Sequence, residues 1–306
     1  MSSMAGSHKA SRGGPHILVT DTCHQDHGPG VTPLQGTQSS VIVESSQESE
    51  RDRVLKRLRE TGYPLELRVA AAMRNADAYY VNQSRHYVDP ITSKIRETDV
   101  IGCWRAVRGD KYVFTYLVVE CKSKPRPWVV FDANEGLTHD VEILLGSLST
   151  LELYEEPQLL TRVKDPFFPV QGTFLEPVQF GHAVVDSKVG KTDTVDNRDD
   201  AYNAVMAAMS AVGGFLNDVD GDELAAAARV AAVVLPVVVT GGSLYRGWLD
   251  DTGDVDIEAV DLAWVALRND EEPRVRRCAI VREAALPDLL QRAKKTANVL
   301  LGRAQP

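Results

Sequence analysis

Cysteine is scarce in this chain of 306 residues: Cys23, Cys103, Cys121 and Cys278 are widely spaced and form no C-x-x-C pair. That spacing argues against a structural zinc site. Two of the four fall in strand-like apolar runs, where a free thiol behaves as a small apolar side chain. No apolar stretch reaches 18 residues, so a membrane-spanning helix is not expected. The first residues also lack the compact apolar core of a signal peptide, and the expectation is a cytoplasmic protein with no membrane partner. Excess positive charge is missing as well. A net charge of −9 counts against a protein that coats nucleic acid non-specifically.

Several common site patterns fail on inspection. Gly190-Lys191-Thr192 lacks the earlier glycine of a G-x-x-x-x-G-K phosphate loop, because Val185 stands there. Asn217 to Asp222 suggests a calcium loop, but placing Gly221 at its sixth position puts Leu216 and Ala227 where carboxylates are required. His86 and His182 lie singly near strands, and no Ser/His/Asp set emerges. Cys23, His24, Asp26 and His27 sit in a stretch rich in Gly, Ser, His, Thr and Pro. They read as an unstructured tail or an early start codon rather than as metal ligands. No internal repeat is evident.

What is present is ordinary globular composition, with 43% hydrophobic and 25% charged residues, enough for a sizeable core. Residues 1–45 are expected to be a disordered tail and 46–306 a single domain. Val54, Leu55 and Leu58 form an apolar helical stripe that Gly62 would stop. Pro64 suits the start of a second helix running to Asn75. On it Glu66 shares a stripe with Val69, Ala70 and Met73, an unusual place for a carboxylate. A first-turn glutamate favouring the helix dipole is the plainer reading. Asp77 to Val88 reads as a first strand, closed by the turn signal Asp89-Pro90.

The most informative stretch is Tyr116-Leu117-Val118-Val119-Glu120-Cys121-Lys122. A buried strand runs straight into Glu-x-Lys, which places Glu120 and Lys122 on one face and Cys121 with Leu117 and Val119 on the other. A second strand-like run, Ile95 to Val107, precedes it, and Gly109-Asp110 between them is a two-residue hairpin signal. With those residues as the turn, Asp99 faces Glu120 and Glu97 faces Lys122. Like charges directly opposite on a sheet repel. Two carboxylates in that place make sense with a divalent cation between them, and oxygen ligands suit Mg²⁺ or Mn²⁺ better than zinc. An exposed sheet face with a Glu97–Lys122 ion pair is the plainer alternative, but it leaves Asp99 against Glu120 unexplained.

Asp99 followed by Glu120-Cys121-Lys122 resembles the PD-(D/E)xK motif of restriction-endonuclease-like nucleases, over roughly residues 60–125 with a looser match to about 240. Thr98 stands where the family's motif has proline. The resemblance implies an α/β fold with a mixed central sheet flanked by helices in the order α-β-β-β-α-β. It implies a Mg²⁺ ion, replaceable by Mn²⁺, held by Asp99, Glu120 and the backbone carbonyl of Cys121. Lys122 would orient or deprotonate a water, and Glu66 would hold a metal water or a second ion. Glu97 is read as positioning Lys122.

The implied activity is Mg²⁺-dependent phosphodiester hydrolysis leaving a 5′-phosphate. The expected substrate is DNA in preference to RNA, cut by an endonuclease rather than an exonuclease, in bacterial defence or repair. The alternative is a non-catalytic nucleic-acid- or protein-binding module on the same fold. A third reading is an unrelated α/β protein carrying the motif by chance. Residues 94–127 hold eight basic side chains against four acidic ones, which fits either a solvated hairpin edge or a surface that steers a phosphate backbone, with Lys94, Lys124 and Arg126 as contacts. A homodimer or a partner protein is compatible with all of this.

The core is expected over 60–131 and 199–240, with an insertion at 132–198 and a C-terminal α+β extension at 241–306. Trp128 to Phe131 would pack across the rim of the site. Ala201 to Val212 is the choice for the second core helix, with Asp199 or Asp200 as cap and Pro236 to Thr240 as the following strand. A helix over 138–154 with a strand at 182–185 is the competing pair. Strands near 244–250, 257–268 and 275–282 and a helix from Pro287 complete the chain.

Overall fold

The computed structural model describes residues 48–109, 111–132, 170–176, 178–186, 200–219, 229–269 and 272–302. Two short helices open it. Helix α1 (Glu50–Arg59) is capped by Ser49, whose hydroxyl accepts from the Asp52 N–H, and buries none of its side chains. Helix α2 (Tyr63–Asn75), with proline in its first turn, buries Leu65, Val69, Ala70 and Met73. That spacing is one face of a 3.6-residue repeat. Strands β1 (Tyr80–Val88), β2 (Ile95–Arg108) and β3 (Lys111–Lys122) follow as an antiparallel meander.

Strand β4 (Trp128–Asp132) and β5 (Gly181–Asp186) come next, then helix α3 (Asp200–Val219) and β6 (Arg229–Thr240). Strands β7 (Leu244–Leu249), β8 (Val255–Ala259), β9 (Leu262–Asn269) and β10 (Glu272–Arg282) lead to a last helix, α4 (Leu286–Leu300). The molecule is mixed α/β. Its described strands form one mixed sheet in the order β1-β2-β3-β6-β10-β9-β5-β4-β7-β8.

Helices cover both faces of the sheet. On one face α2 and α4 pack against Val100, Leu117, Val119, Cys121, Leu235 and Val237. On the other, α3 lays Val205, Ala208, Val212 and Phe215 on alternate residues such as Ile101, Val118, Val234 and Val238. The hairpin register is the expected one, from Arg108↔Lys111 to Val100↔Val119. Gly109 turns it with φ +64, a conformation glycine adopts without strain. Strand β6 runs parallel to β3 along its whole length, Lys111↔Arg229 to Lys122↔Thr240, so α3 and β6 are the helix–strand pair beside the hairpin. The competing strand lies elsewhere, as β5 between β9 and β4. The helix expected over 138–154 lies outside the described residues.

Three expectations need correction. Trp128 to Phe131 is not rim but a strand, with Trp128 and Val130 buried against α3. Strand β6 begins at Arg229, so Pro236 is interior to it. The ladder with β10 starts only at Val237, which leaves Pro236 with β3 alone beside it and makes a missing N–H tolerable. The run 257–268 is two strands: the chain breaks at Val260-Asp261, where Val260 bonds to Leu244 and Asp261 accepts from the Arg282 side chain. The free thiols of Cys103, Cys121 and Cys278 are all buried, as core strands would have them.

The sheet cannot be flat. Strand β6 passes to β7 through three residues although the two are five places apart in the strand order. A flat sheet would separate them by about 24 Å, whereas four steps of chain reach about 14 Å. Strand β3 passes to β4 across an equal interval through Ser123 to Pro127. Since β4 runs parallel to β7, as β3 does to β6, the paired strands turn a corner together. Helix α3 lies inside the bend, touching Val238 and Ile280 on one side and Trp128, Val184 and Leu244 on the other. At the corner the two crossings touch: a Cβ on Gly242 would lie 2.1 Å from the Arg126 carbonyl oxygen. Only glycine fits there.

Candidate functional site

The C-terminal ends of the parallel strands β3, β6 and β10 open beside the first turns of α2 and α3, the place where open α/β sheets bind ligands. Asp99 and Glu120 meet at this end. Ile101 and Val118 face α3, and Asp99 and Glu120, each two residues further on, lie on the same face. The β2–β3 ladder stops at Val100↔Val119, and beyond it Asp99 replaces the next rung with its side chain. Its Oδ2 accepts from the Cys121 N–H at 2.6 Å, while the Thr98 hydroxyl donates to the Val119 carbonyl at 3.3 Å. The threonine in the motif's proline position thus holds the point where the strands part.

The electrostatics follow from this crowding. Burial, reinforced by the Glu120 carboxylate, raises the pKa of Asp99 to about 7, against the lowering effect of the Cys121 N–H. Glu66, partly buried on the first turn of α2, is also raised, by burial and then by Glu97 and Glu120. Lys122 forms a 2.7 Å ion pair with Glu120 Oε1. Burial disfavours its ammonium, but Glu120 outweighs that and raises its pKa. Lys122 is therefore a proton donor in this arrangement rather than a base. Glu66, Asp99, Glu120 and Lys122 share one electrostatic neighbourhood, as the sequence suggested.

Other expected contacts fall differently. Glu97 does not hold Lys122: it is exposed on the strand pair with β1, 3.9 Å from His86 Nε2, and the partner of Lys122 is Glu120. Arg126 is held within the protein, with Nη1 at 3.0 Å from Asp186 Oδ2 and 2.9 Å from Asp200 Oδ2. Lys124 lies 3.8 Å from the same Asp200 oxygen. Arg126 thus fastens the β3–β4 crossing to β5 and to the start of α3, which is a structural duty. Lys94 is exposed in the β1–β2 turn. Sequence reasoning missed Asp186 and missed the pairing of Asp200. The second stood out only as a helix cap, and neither proximity has a local signature.

No family model matches this chain, and no curated protein or solved structure is significantly similar to it.

Among the described residues, no three His, Cys, Asp or Glu side chains are placed to hold a metal together. Two carboxylates with one backbone carbonyl nevertheless suit a hard cation that keeps most of its waters. The Cys121 thiol is packed in the apolar cluster on the α2 face, so only the main chain of this residue is available to the site. Its N–H points to the β2 side, and an antiparallel strand directs the carbonyl of the same residue to the same side. The raised pKa of Asp99 against Glu120 is what two such ligands show before a cation neutralises them. The residues fit the group.

Proposed function

We propose that this protein is a Mg²⁺-dependent nuclease with a restriction-endonuclease-like core. The observation that carries the reading is the meeting of Asp99 and Glu120 where the β2–β3 ladder ends, with Lys122 bonded to Glu120. A pair of half-buried acids costs stability and is hard to account for by structure alone. The order α2-β1-β2-β3, followed after the intervening β4 and β5 by α3-β6 with β6 parallel to β3, supports the fold part of the reading.

Asp99, Glu120 and the Cys121 carbonyl would hold the ion, with Mn²⁺ able to replace Mg²⁺. When bound, it would offset negative charge on the phosphorane-like transition state and acidify a water. The Cys121 N–H fixes the Asp99 carboxylate, so that ligand needs no reorganisation. Glu120 holds the Lys122 ammonium at the same place, where it donates to the attacking water or to a phosphate oxygen. Glu66, on the first turn of α2 near Glu120 and Lys122, would hold a water of the ion or a second ion at the edge of the site. DNA is the preferred substrate and internal cleavage the preferred mode.

Two observations favour a second reading, a non-catalytic binding module. No third carboxylate or imidazole completes the cluster among the described residues, and Arg126 is spent inside the protein. Purified protein incubated with single-stranded, duplex and branched DNA and with RNA, in Mg²⁺, Mn²⁺ or EDTA, separates the two. Metal-dependent cleavage that is lost in Asp99→Ala and Lys122→Ala is the expected result. Binding without cleavage on every substrate gives the second reading, and cleavage unchanged in both variants removes this site from the reaction.

A further inference from the structure

Strand β1 is regular on both sides of a single point. Its pairs with β2 run from Tyr80↔Cys103 to Gln83↔Val100 and resume at Arg85↔Thr98, continuing to Val88↔Ile95 in the same register. Between them Ser84 stands opposite Asp99 without pairing, and Ser84 has φ +55. Strand residues adopt φ near −140°, and a left-handed serine inside a strand is strained. No residue has been inserted, so this is not a bulge.

The other edge of Asp99 explains what the strain accompanies. Main-chain groups of successive strand residues face opposite neighbours. Val119 and Cys121 direct theirs toward β2, as their bonds to Thr98 and Asp99 show. Val100, opposite Val119, faces β3 in turn, so the main chain of Asp99 faces β1 and Ser84. An extended Ser84 would form a rung with Asp99. The left-handed one interrupts the register at that pair, and the Asp99 carboxylate reaches across to β3.

We propose that Ser84, through its left-handed backbone, is a positioning residue for Asp99: withholding one rung from β1 lets Asp99 set its carboxylate on the Cys121 N–H, facing Glu120. This rests on reading Asp99 as a metal ligand only for its consequence, not for the contact itself. A small side chain suffices at position 84 because the conformation, rather than the hydroxyl, does the positioning. Glycine adopts it freely, whereas a β-branched residue resists it and favours the extended strand.

The test uses the full chain as Ser84→Gly, Ser84→Val and Ser84→Thr, with two readouts. The first is the Cys121 amide proton resonance, with Asp99→Ala marking its position once the carboxylate is gone. The second is Mn²⁺ affinity by calorimetry. Ser84→Gly should match wild type in both. Ser84→Val and Ser84→Thr should move the resonance toward that of Asp99→Ala and weaken Mn²⁺ binding by about tenfold or more. Should Ser84→Val fail to fold, Ser84→Thr keeps the comparison and also shows that the hydroxyl is not what matters. A wild-type resonance in both β-branched variants overturns the proposal. No Mn²⁺ binding by wild type overturns the metal reading instead, and the resonance still decides the role of Ser84.

Discussion

At the scale of single residues, the pairing of Asp99 with Glu120 has a measurable cost. The pKa of Asp99 rises from 3.8 to about 7 on folding. A carboxyl raised in this way contributes stability that is fully present below the unfolded pKa and is lost as pH rises through the folded one. Without divalent metal, wild type should therefore lose stability between about pH 4 and pH 7 and level off above. Asp99→Asn keeps an oxygen for the Cys121 N–H and has no charge to bury. It should be the more stable protein at pH 8 in EDTA, by about 1–3 kcal/mol, and the difference should nearly vanish at pH 4. Urea denaturation of both proteins at the two pH values checks this. A wild type that is more stable than the variant at pH 8 in EDTA would mean that the carboxylate is not repelled there.

Much of this was readable in the sequence, and the reason is local. Gly109-Asp110 fixes the hairpin, and a hairpin fixes its own register, so Asp99 against Glu120 follows from counting. Counting failed for Glu97 because the ladder has ended before that position. Once strands part, side chains follow their own contacts, and Lys122 turned to Glu120 on its own strand. Ser84 gave no warning, since a serine at φ +55 looks like any other serine in a sequence.

At the scale of elements, close approaches between strands and helices separate positions that bare composition makes equal. Gly102 on β2 and Gly242 in the β6–β7 link are both buried glycines. A Cβ at Gly102 would meet the Met73 sulfur at 2.5 Å, at the flexible end of a side chain that can turn aside. At Gly242 it would meet backbone, the Arg126 carbonyl oxygen. Gly102→Ala should cost about 1–2 kcal/mol and Gly242→Ala about 3 kcal/mol or more, read as shifts in the denaturation midpoint. Equal costs would mean that the two crossings at the corner are not in contact. The helices and the hairpin were legible from periodicity and turn residues. The break at Val260-Asp261 was not, because apolar residues continue on both sides and the break depends on partners distant in sequence, Leu244 and Arg282. Nor could the sequence say that β5 joins the sheet beside β9 and β4, since that pairing is long-range.

At the scale of the whole molecule, the sheet of described strands ends in two edges. Strand β8 is exposed throughout, with Val255 and Ile257 beside the exposed Leu249 on one side and Asp256 and Glu258 on the other. An apolar edge of this kind invites pairing with a second chain, and acidic residues on it oppose that by repulsion. Asp256→Asn combined with Glu258→Gln should shift the protein toward self-association at low ionic strength, measured by sedimentation, while wild type changes less over the same concentrations. A double variant that associates no more than wild type would show that these charges do not guard the edge.

The turned sheet has a consequence for the protein's history. Three residues carry the chain from β6 to β7 and five from β3 to β4, and the two links press on each other beside the acidic pair. Lengthening either by one residue would let one strand slide past its companion and pull the site's wall with it. Descendants of the same ancestor, however far their letters have drifted, should differ in many loops and yet keep these two spans at their present lengths, with glycine at the crossing.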